Sequence, residues 1–218
     1  MKESTSREKV LKAVRSALIH KSEADFSTAD SKAEIYASPP EGESLEILFA
    51  KNFSALTGNF IFCEKREDFA KSLAHIIMER QWDNIYCADQ PLQDLLKRNG
   101  IAFSSSDSEL LNANIGITSC EYLIARTGSI MVSSRLNAGR RLPVYSNVHI
   151  VVANLSQLVY NLADGYNLIQ QKYGGNFPSQ ITVITGPSQT ADIEKTLVKG
   201  AHGPKELFLF LMDEHERN

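Results

Sequence analysis

From Asn59 onward the chain alternates short apolar runs with longer amphipathic stretches, and this rhythm restricts the fold more than any other feature. Asn59–Cys63, Asn84–Cys87, Ile101–Phe103, Ile115–Thr118, Ser129–Val132, Val148–Val152, Ile181–Ile184 and Leu207–Met212 read as strands. Several are apolar throughout, as strands buried on both faces are. Between them, Glu67–Arg80 places Phe69, Leu73, Ile76 and Ile77 on one helical stripe. Pro91–Arg98 reads as a short helix closed by Asn99-Gly100, Leu155–Tyr173 as a long one closed by Gly174-Gly175, and Ala191–Lys199 as another. A brief helical piece is expected at Cys120–Ile124. Strands alternating with helices imply an α/β protein with a mostly parallel sheet flanked by helices.

The N-terminal part has a different pattern. Ser4–His20 carries Val10, Ala13, Val14, Ala17 and Leu18 at helical spacing. Lys21–Ser44, with Pro39-Pro40 and Gly42, reads as an exposed connector. Leu45, Leu48, Phe49, Phe53 and Leu56 form the face of a second helix, with Gly58 placed to end it. The expected organisation is a helical extension and connector over residues 1–58 and an α/β domain over 59–218.

Charge and composition exclude several classes. Lys+Arg 23 against Asp+Glu 26 leaves a net charge of -3, with no overall field for nucleic acid. No apolar run approaches the roughly 18 residues of a membrane span, and the start MKESTSREKV lacks the apolar region of a secretory signal. Cys63, Cys87 and Cys120 are too far apart for a CxxC site, so neither a disulfide scaffold nor an internal cluster is expected. The reducing cytoplasm is the expected setting. The five histidines show no HxH, HExxH or HxxxH spacing, and no metal site is expected. Neither GxGxxG nor GxxxxGK[ST] occurs.

Three segments hold polar groups at element ends. The first, Ile181–Glu194, runs from a strand through Gly186-Pro187-Ser188-Gln189-Thr190 into the expected helix. Such a loop offers free N–H groups and a helix dipole to an anion. In the plainer reading Ser188 or Thr190 only caps the helix, and Asp192 and Glu194 complement its dipole. The second, Gly200-Ala201-His202-Gly203-Pro204, follows it. His202 is a candidate general base, an anion donor, or a histidine satisfied by a carbonyl. The third, Ala125–Ser129, is a small-residue turn with hydroxyls at Thr127 and Ser129 around Gly128.

From Tyr122 to Ala163 there is no Asp, Glu or Lys, while Arg126, Arg135, Arg140 and Arg141 give this span four positive charges. A guanidinium fork suits carboxylate or phosphate. Gly139-Arg140-Arg141 therefore reads either as a loop closing over an anion or acidic partner, or as a solvated loop. His149, inside the run VHIVV, reads as a core histidine. Ser188, His202 and Asp192 have the residue types of a triad but no GxSxG elbow.

The run TGPSQTADIEKTLVKGAHGPKEL, Thr185–Leu207, resembles the signature of the lactate-utilisation protein C family of LUD-domain proteins. Ala125–Ser129 resembles that family's second motif, and Leu142-Pro143 with Val148-His149-Ile150 its third. The resemblance extends from about Phe60 to Met212. It departs at Arg126, where the family commonly has an acidic residue.

The resemblance implies a fold similar to sugar-phosphate isomerases, CoA transferases and formyltetrahydrofolate cyclo-ligase. It also implies a subunit that works beside an iron–sulfur LUD-domain protein and a cysteine-rich oxidoreductase subunit to oxidise L-lactate to pyruvate. On that reading this chain needs no cofactor, the clusters belong to the partners, and the chain contributes a carboxylate site. Thr127, Gly128 and Ser129 would form one wall, Gly186, Ser188 and Thr190 another, with Arg141 and His202 as charged or polarising groups. The alternative is an independent isomerase-, transferase- or ligase-like enzyme acting on a phosphorylated or acyl substrate. CoA transfer needs a glutamate nucleophile, and the nearest acid to the Thr-Gly turn is Glu121. A third reading is a structural or regulatory partner.

Overall fold

The computed structural model describes residues 6–19, 39, 42–191, 197–200 and 202–213. Its contacts divide the chain into two units, Met1–Ala37 and Ser38–Asn218. In the first unit a helix, α1 (Ser6–Ile19), leaves Val10, Leu11 and Val14 exposed.

The second unit opens with α2 (Leu45–Ala55), β1 (Asn59–Cys63), α3 (Arg66–Arg80), β2 (Ile85–Cys87) and α4 (Gln90–Arg98). Then come β3 (Ile115–Ser119), β4 (Tyr122–Ile124), β5 (Ser129–Ser133), α5 (Leu142–Tyr145), β6 (Val148–Asn154) and β7 (Leu158–Val159). It closes with α6 (Leu162–Tyr173), β8 (Ile181–Ile184), β9 (Gln189–Ala191), β10 (Leu197–Lys199) and β11 (Glu206–Met212).

Five strands make the main sheet, in the order β1-β11-β6-β3-β2, and every pairing in it is parallel. The final strand lies inside this sheet: Phe210 sits opposite Ile61 on one side and Val152 on the other. Because side chains alternate along a strand, β11 serves two cores. Phe208, Phe210 and Met212 pack with Phe69 and Leu73 of α3 and Leu92 and Leu96 of α4. Leu207, Leu209 and Leu211 pack with Leu123, Ile130 and Val132 of a second, four-stranded sheet and with Phe49 and Phe53 of α2. That sheet has the order β7-β4-β5-β8 and is covered on its outer face by Ile169 of α6. Both faces of the parallel sheet are thus covered, which accounts for the wholly apolar strands.

Several local expectations are corrected. Ile101–Phe103 forms no strand; Ser104 alone bridges to Tyr86. Cys120–Ile124 is not helical: Tyr122–Ile124 forms β4, antiparallel to β5, with Leu123 turned into the core. The stretch Leu155–Tyr173 is broken into a 3₁₀ turn at Leu155–Gln157, the short β7, and α6. α6 starts where the Asn161 N–H donates to Asp164 Oδ2 at 2.9 Å, a local cap that sets the helix start inside an otherwise continuous pattern. In place of a helix over Ala191–Lys199, β9 and β10 pair antiparallel. Residues 192–196, including Asp192 and Glu194, lie outside the described residues. Thr57, not Gly58, takes the left-handed conformation after α2, with φ 62°. Gly58 is required because a Cβ there would lie 2.4 Å from the Phe53 ring. Of the connector expected over Lys21–Ser44, only Pro39 and residues 42–44 are described.

His149 is fully buried on β6, its Nε2 2.8 Å from Thr118 Oγ1 and its Nδ1 without a partner. Burial lowers its pKa from 6.5 to about 4. The unfolded chain therefore binds this proton more readily than the folded one, and the contribution is complete above pH 6.5. Urea-unfolding stability is expected to fall as pH drops from 6.5 toward 4, and His149→Gln is expected to flatten that part of the profile. Parallel profiles for the two proteins would show that His149 does not titrate on unfolding.

Candidate functional site

Two of the expected segments meet. β5 and β8 pair so that Ile130 lies opposite Ile184, which brings the residues just beyond, Ser129 and Thr185, together. Ser129 Oγ is 2.9 Å from Thr185 Oγ1 and 2.8 Å from Thr127 Oγ1. Ser129 is buried at 1 % exposure, while Thr127 and Thr185 reach the surface at either end of this hydroxyl chain. A hydroxyl both donates and accepts, so the chain reorients to suit what approaches it.

α2 closes the back of the turn pair. Asn52 Nδ2 donates to Ala125 O at 2.8 Å and Arg126 O at 3.1 Å. Gly128 has φ 61°, and a Cβ there would lie 2.4 Å from the Phe53 backbone nitrogen. Gly186, with φ 83°, faces Leu56 O, which a Cβ would approach to 3.0 Å. Both glycines thus allow backbone to approach backbone where a side chain would not fit.

The two C-terminal motif blocks also meet each other. The Ser188 N–H donates to Pro204 O at 2.8 Å, the Gly200 N–H to Ser188 O at 3.0 Å, and the His202 N–H to Ser188 Oγ at 3.4 Å. His202 is exposed. The backbone of Thr190 lies in β9, so it does not open a helix. The arginines divide among three places, with Arg135 and Arg140 both reaching residues 176–179. Arg126 donates to Asn161, Arg135 to Asn176 and Arg140 to Ser179. Arg141 pairs with Asp107 at 3.7 Å, on the segment between α4 and β3 rather than on either turn.

Polar groups at the opposite, carboxyl end of the parallel sheet were not singled out by the sequence reasoning. Asp89, two residues beyond β2 and 8 % exposed, accepts from Ser119 Oγ at 2.6 Å, at the end of β3. Asn154, at the end of β6, and Gln157 join them on the lining of a cleft of about 840 Å³. The available signal was positional: each of Asp89, Ser119 and Asn154 ends or follows a parallel strand, where α/β sheets place ligands.

Beside this cleft Glu121 is buried with three donors. Lys172 Nζ lies at 2.9 Å, Tyr173 OH at 2.8 Å and Ser133 Oγ at 2.5 Å. Burial opposes the Lys172 charge, but the bond and attraction to Glu121 outweigh it and raise the pKa. Burial, then the bond to Glu121, raises that of Tyr173. Gln157 Nε2 donates to Cys120 O at 2.6 Å and to Glu121 O at 3.2 Å, which ties this cluster to the cleft wall. The cysteines are buried separately; burial pushes the Cys63 thiol up to about 11 and the Cys87 thiol to about 12. Among the described residues, no group of three His, Cys, Asp or Glu side chains could hold a metal ion, and no helix is long and apolar enough to cross a membrane.

A parallel sheet covered by helices on one face and by a small mixed sheet on the other defines an α/β protein with two chemically distinct ends. The LUD domain family model matches residues 47–212, and the chain belongs to that family. Lactate utilization protein C of Bacillus subtilis is 35% identical over 104 residues, which are 47% of this chain and 43% of that protein. Lactate utilization protein C of Geobacillus kaustophilus is likewise 35% identical over 104 residues, 46% of this chain and 43% of its own. These matches thus span less than half the length of either relative. A DUF162 family protein from Deinococcus radiodurans shares the fold, with a TM-score of 0.55, 17% identity, and coverage of 77% of this chain and 96% of its own.

Two substitutions test this framework. Gly128→Ala is expected to cost about 2 kcal/mol or more, since it adds both a strained φ and a backbone clash. Lys172→Met is expected to cost about 1–2 kcal/mol, because Lys172 is half exposed and Tyr173 and Ser133 still donate to Glu121, with Lys172→Arg retaining most of the stability. Both are read from urea denaturation; unchanged midpoints would contradict the packing of α2 and the burial of Glu121.

Proposed function

We propose that this chain acts in lactate utilisation, in the cytoplasm, as a non-redox subunit of an L-lactate-oxidising assembly. Its partners on this reading are an iron–sulfur LUD-domain protein and a cysteine-rich oxidoreductase subunit, which carry the clusters. Its own contribution is a site for a small carboxylate. Family membership and the similarity to lactate utilization protein C relatives support the pathway. The observation that carries the site is the 2.9 Å Ser129–Thr185 contact, which joins two segments bearing family-like motifs. Thr127 and Thr185 are exposed residues there whose hydroxyls meet at Ser129, and hydroxyls are suitable donors to a carboxylate. Gly128 and Gly186 shape the turns. Ser188 and His202 lie farther along the same C-terminal block, and His202 is the group proposed to exchange a proton with a hydroxy acid. Thr190, on β9, is a further proposed contact, and Arg141 would join only by leaving Asp107, its partner away from the turns.

The alternative, an independent enzyme acting on a phosphorylated or acyl substrate, draws its support from the cleft at the carboxyl end. That cleft, however, is lined by Glu67, Asp89 and Asp94 against one cation, Arg98. Phosphate is poorly matched to such a surface, so the first reading is preferred.

Thermal-shift measurements with L-lactate, pyruvate, ribose 5-phosphate and acetyl-CoA separate these readings. The proposal expects stabilisation by lactate or pyruvate, and about tenfold weaker binding for Ser129→Ala combined with Thr185→Val. Stabilisation only by the sugar phosphate or the thioester would favour the alternative. Unimpaired lactate oxidation in a strain lacking this chain would refute its role as a required subunit.

A further inference from the structure

The turn pair and the cleft lie at opposite ends of the parallel sheet. Gly186 meets Leu56 just before β1, and Ser188 meets Pro204 just before β11, so the turns belong to the amino ends of the strands. Asp89, Ser119, Asn154 and Met212 belong to the carboxyl ends. The cleft is therefore a second place for a ligand, and the inference goes beyond the carboxylate reading without depending on it.

Its size and lining specify the kind of molecule. A volume of about 840 Å³ falls within the range that houses whole organic ligands. Part of its lining is apolar: Pro91 and Leu95 of α4 are accessible there, while Leu92, Val152 and Met212 are nearly buried. Such a surface receives a flat hydrophobic body. At the carboxyl end the polar groups are mainly acceptors. Ser119 fixes one oxygen of Asp89, and a carboxylate has room for further donors. Asn154 adds an amide at the start of the Leu155–Gln157 turn, where its own N–H donates to Gln157 Oε1 at 2.8 Å. Glu67 and Asp94 outnumber Arg98 along the sides, which disfavours a ligand carrying net negative charge.

We infer that this cleft binds an uncharged nucleoside-type ligand, with its base against Pro91 and Leu95 and its sugar hydroxyls donating to Asp89. A buried carboxylate paired with vicinal hydroxyls is a chemically strong match, because each hydrogen bond is charge-assisted. The Ser119 bond keeps the Asp89 side chain in position for it.

Isothermal titration of the full chain with adenosine, 2′,3′-dideoxyadenosine and AMP tests the inference. Adenosine is expected to bind, the dideoxy analogue about tenfold or more weakly, and AMP more weakly than adenosine. Asp89→Asn is expected to reduce the difference between adenosine and its dideoxy analogue, and an added excess of L-lactate to leave adenosine binding unchanged. Absence of adenosine binding to a folded chain would overturn the inference. Equal affinity for the two nucleosides, or tighter binding of AMP, would do the same. None of these outcomes bears on lactate binding at the turns, so the two proposals fail separately.

Discussion

The position of β11 governs the structure. This last strand enters between β1 and β6, and it is β1's partner in the parallel sheet. Its two faces feed two cores at once, with Phe208 and Phe210 toward the helices and Leu207, Leu209 and Leu211 toward the second sheet. Burying side chains of this size contributes about 1.5–3 kcal/mol each, so neither core is complete without it. The same insertion places Pro204 against Ser188 and thereby joins the two C-terminal motif blocks. Pairing residues near 60 with residues near 210 also makes the topology non-local, the kind that folds slowly.

Much of the α/β plan was legible because burial on both faces leaves an unmistakable residue pattern. Val148–Val152 and Leu207–Met212 can hardly be anything but interior strands. The misreadings occur where an apolar run fits two structures and tertiary pairing decides. Tyr122–Ile124 is too short to reveal a period, and its place beside β5 makes it a strand. Leu155–Tyr173 looks continuous, yet the Gln157 amide is drawn to Cys120 O, and Asn161 restarts the backbone with its own cap. The residues around β9 and β10 carry a helix-compatible composition, but Gln189–Ala191 and Leu197–Lys199 find each other instead.

The candidate site was legible in part for a related reason. Local glycine-hydroxyl turns stand out in a sequence, and the turns at Gly128 and Gly186 do lie together behind α2. Which end of a sheet a turn occupies does not stand out, since that depends on strand order. Arg126, Arg135, Arg140 and Arg141 form a block in the chain but divide among three places in space. Asp89, Ser119 and Asn154 show the reverse: scattered along the chain, they are gathered by parallel pairing at one edge. The hydroxyl turns of the second sheet lie toward the amino ends of the parallel strands, and the Asp89 carboxylate lies at their carboxyl ends. On the two proposals, each end takes a different ligand.

Amide-resolved NMR of the chain titrated with L-lactate tests most directly whether the hydroxyl turns form a carboxylate site. Saturable shifts are expected at Gly128, Ser129, Thr185 and Gly186, with Asp89 and Ser119 unmoved. Shifts confined to the Asp89–Ser119 cleft, or none at concentrations well above those of the living cell, would contradict it.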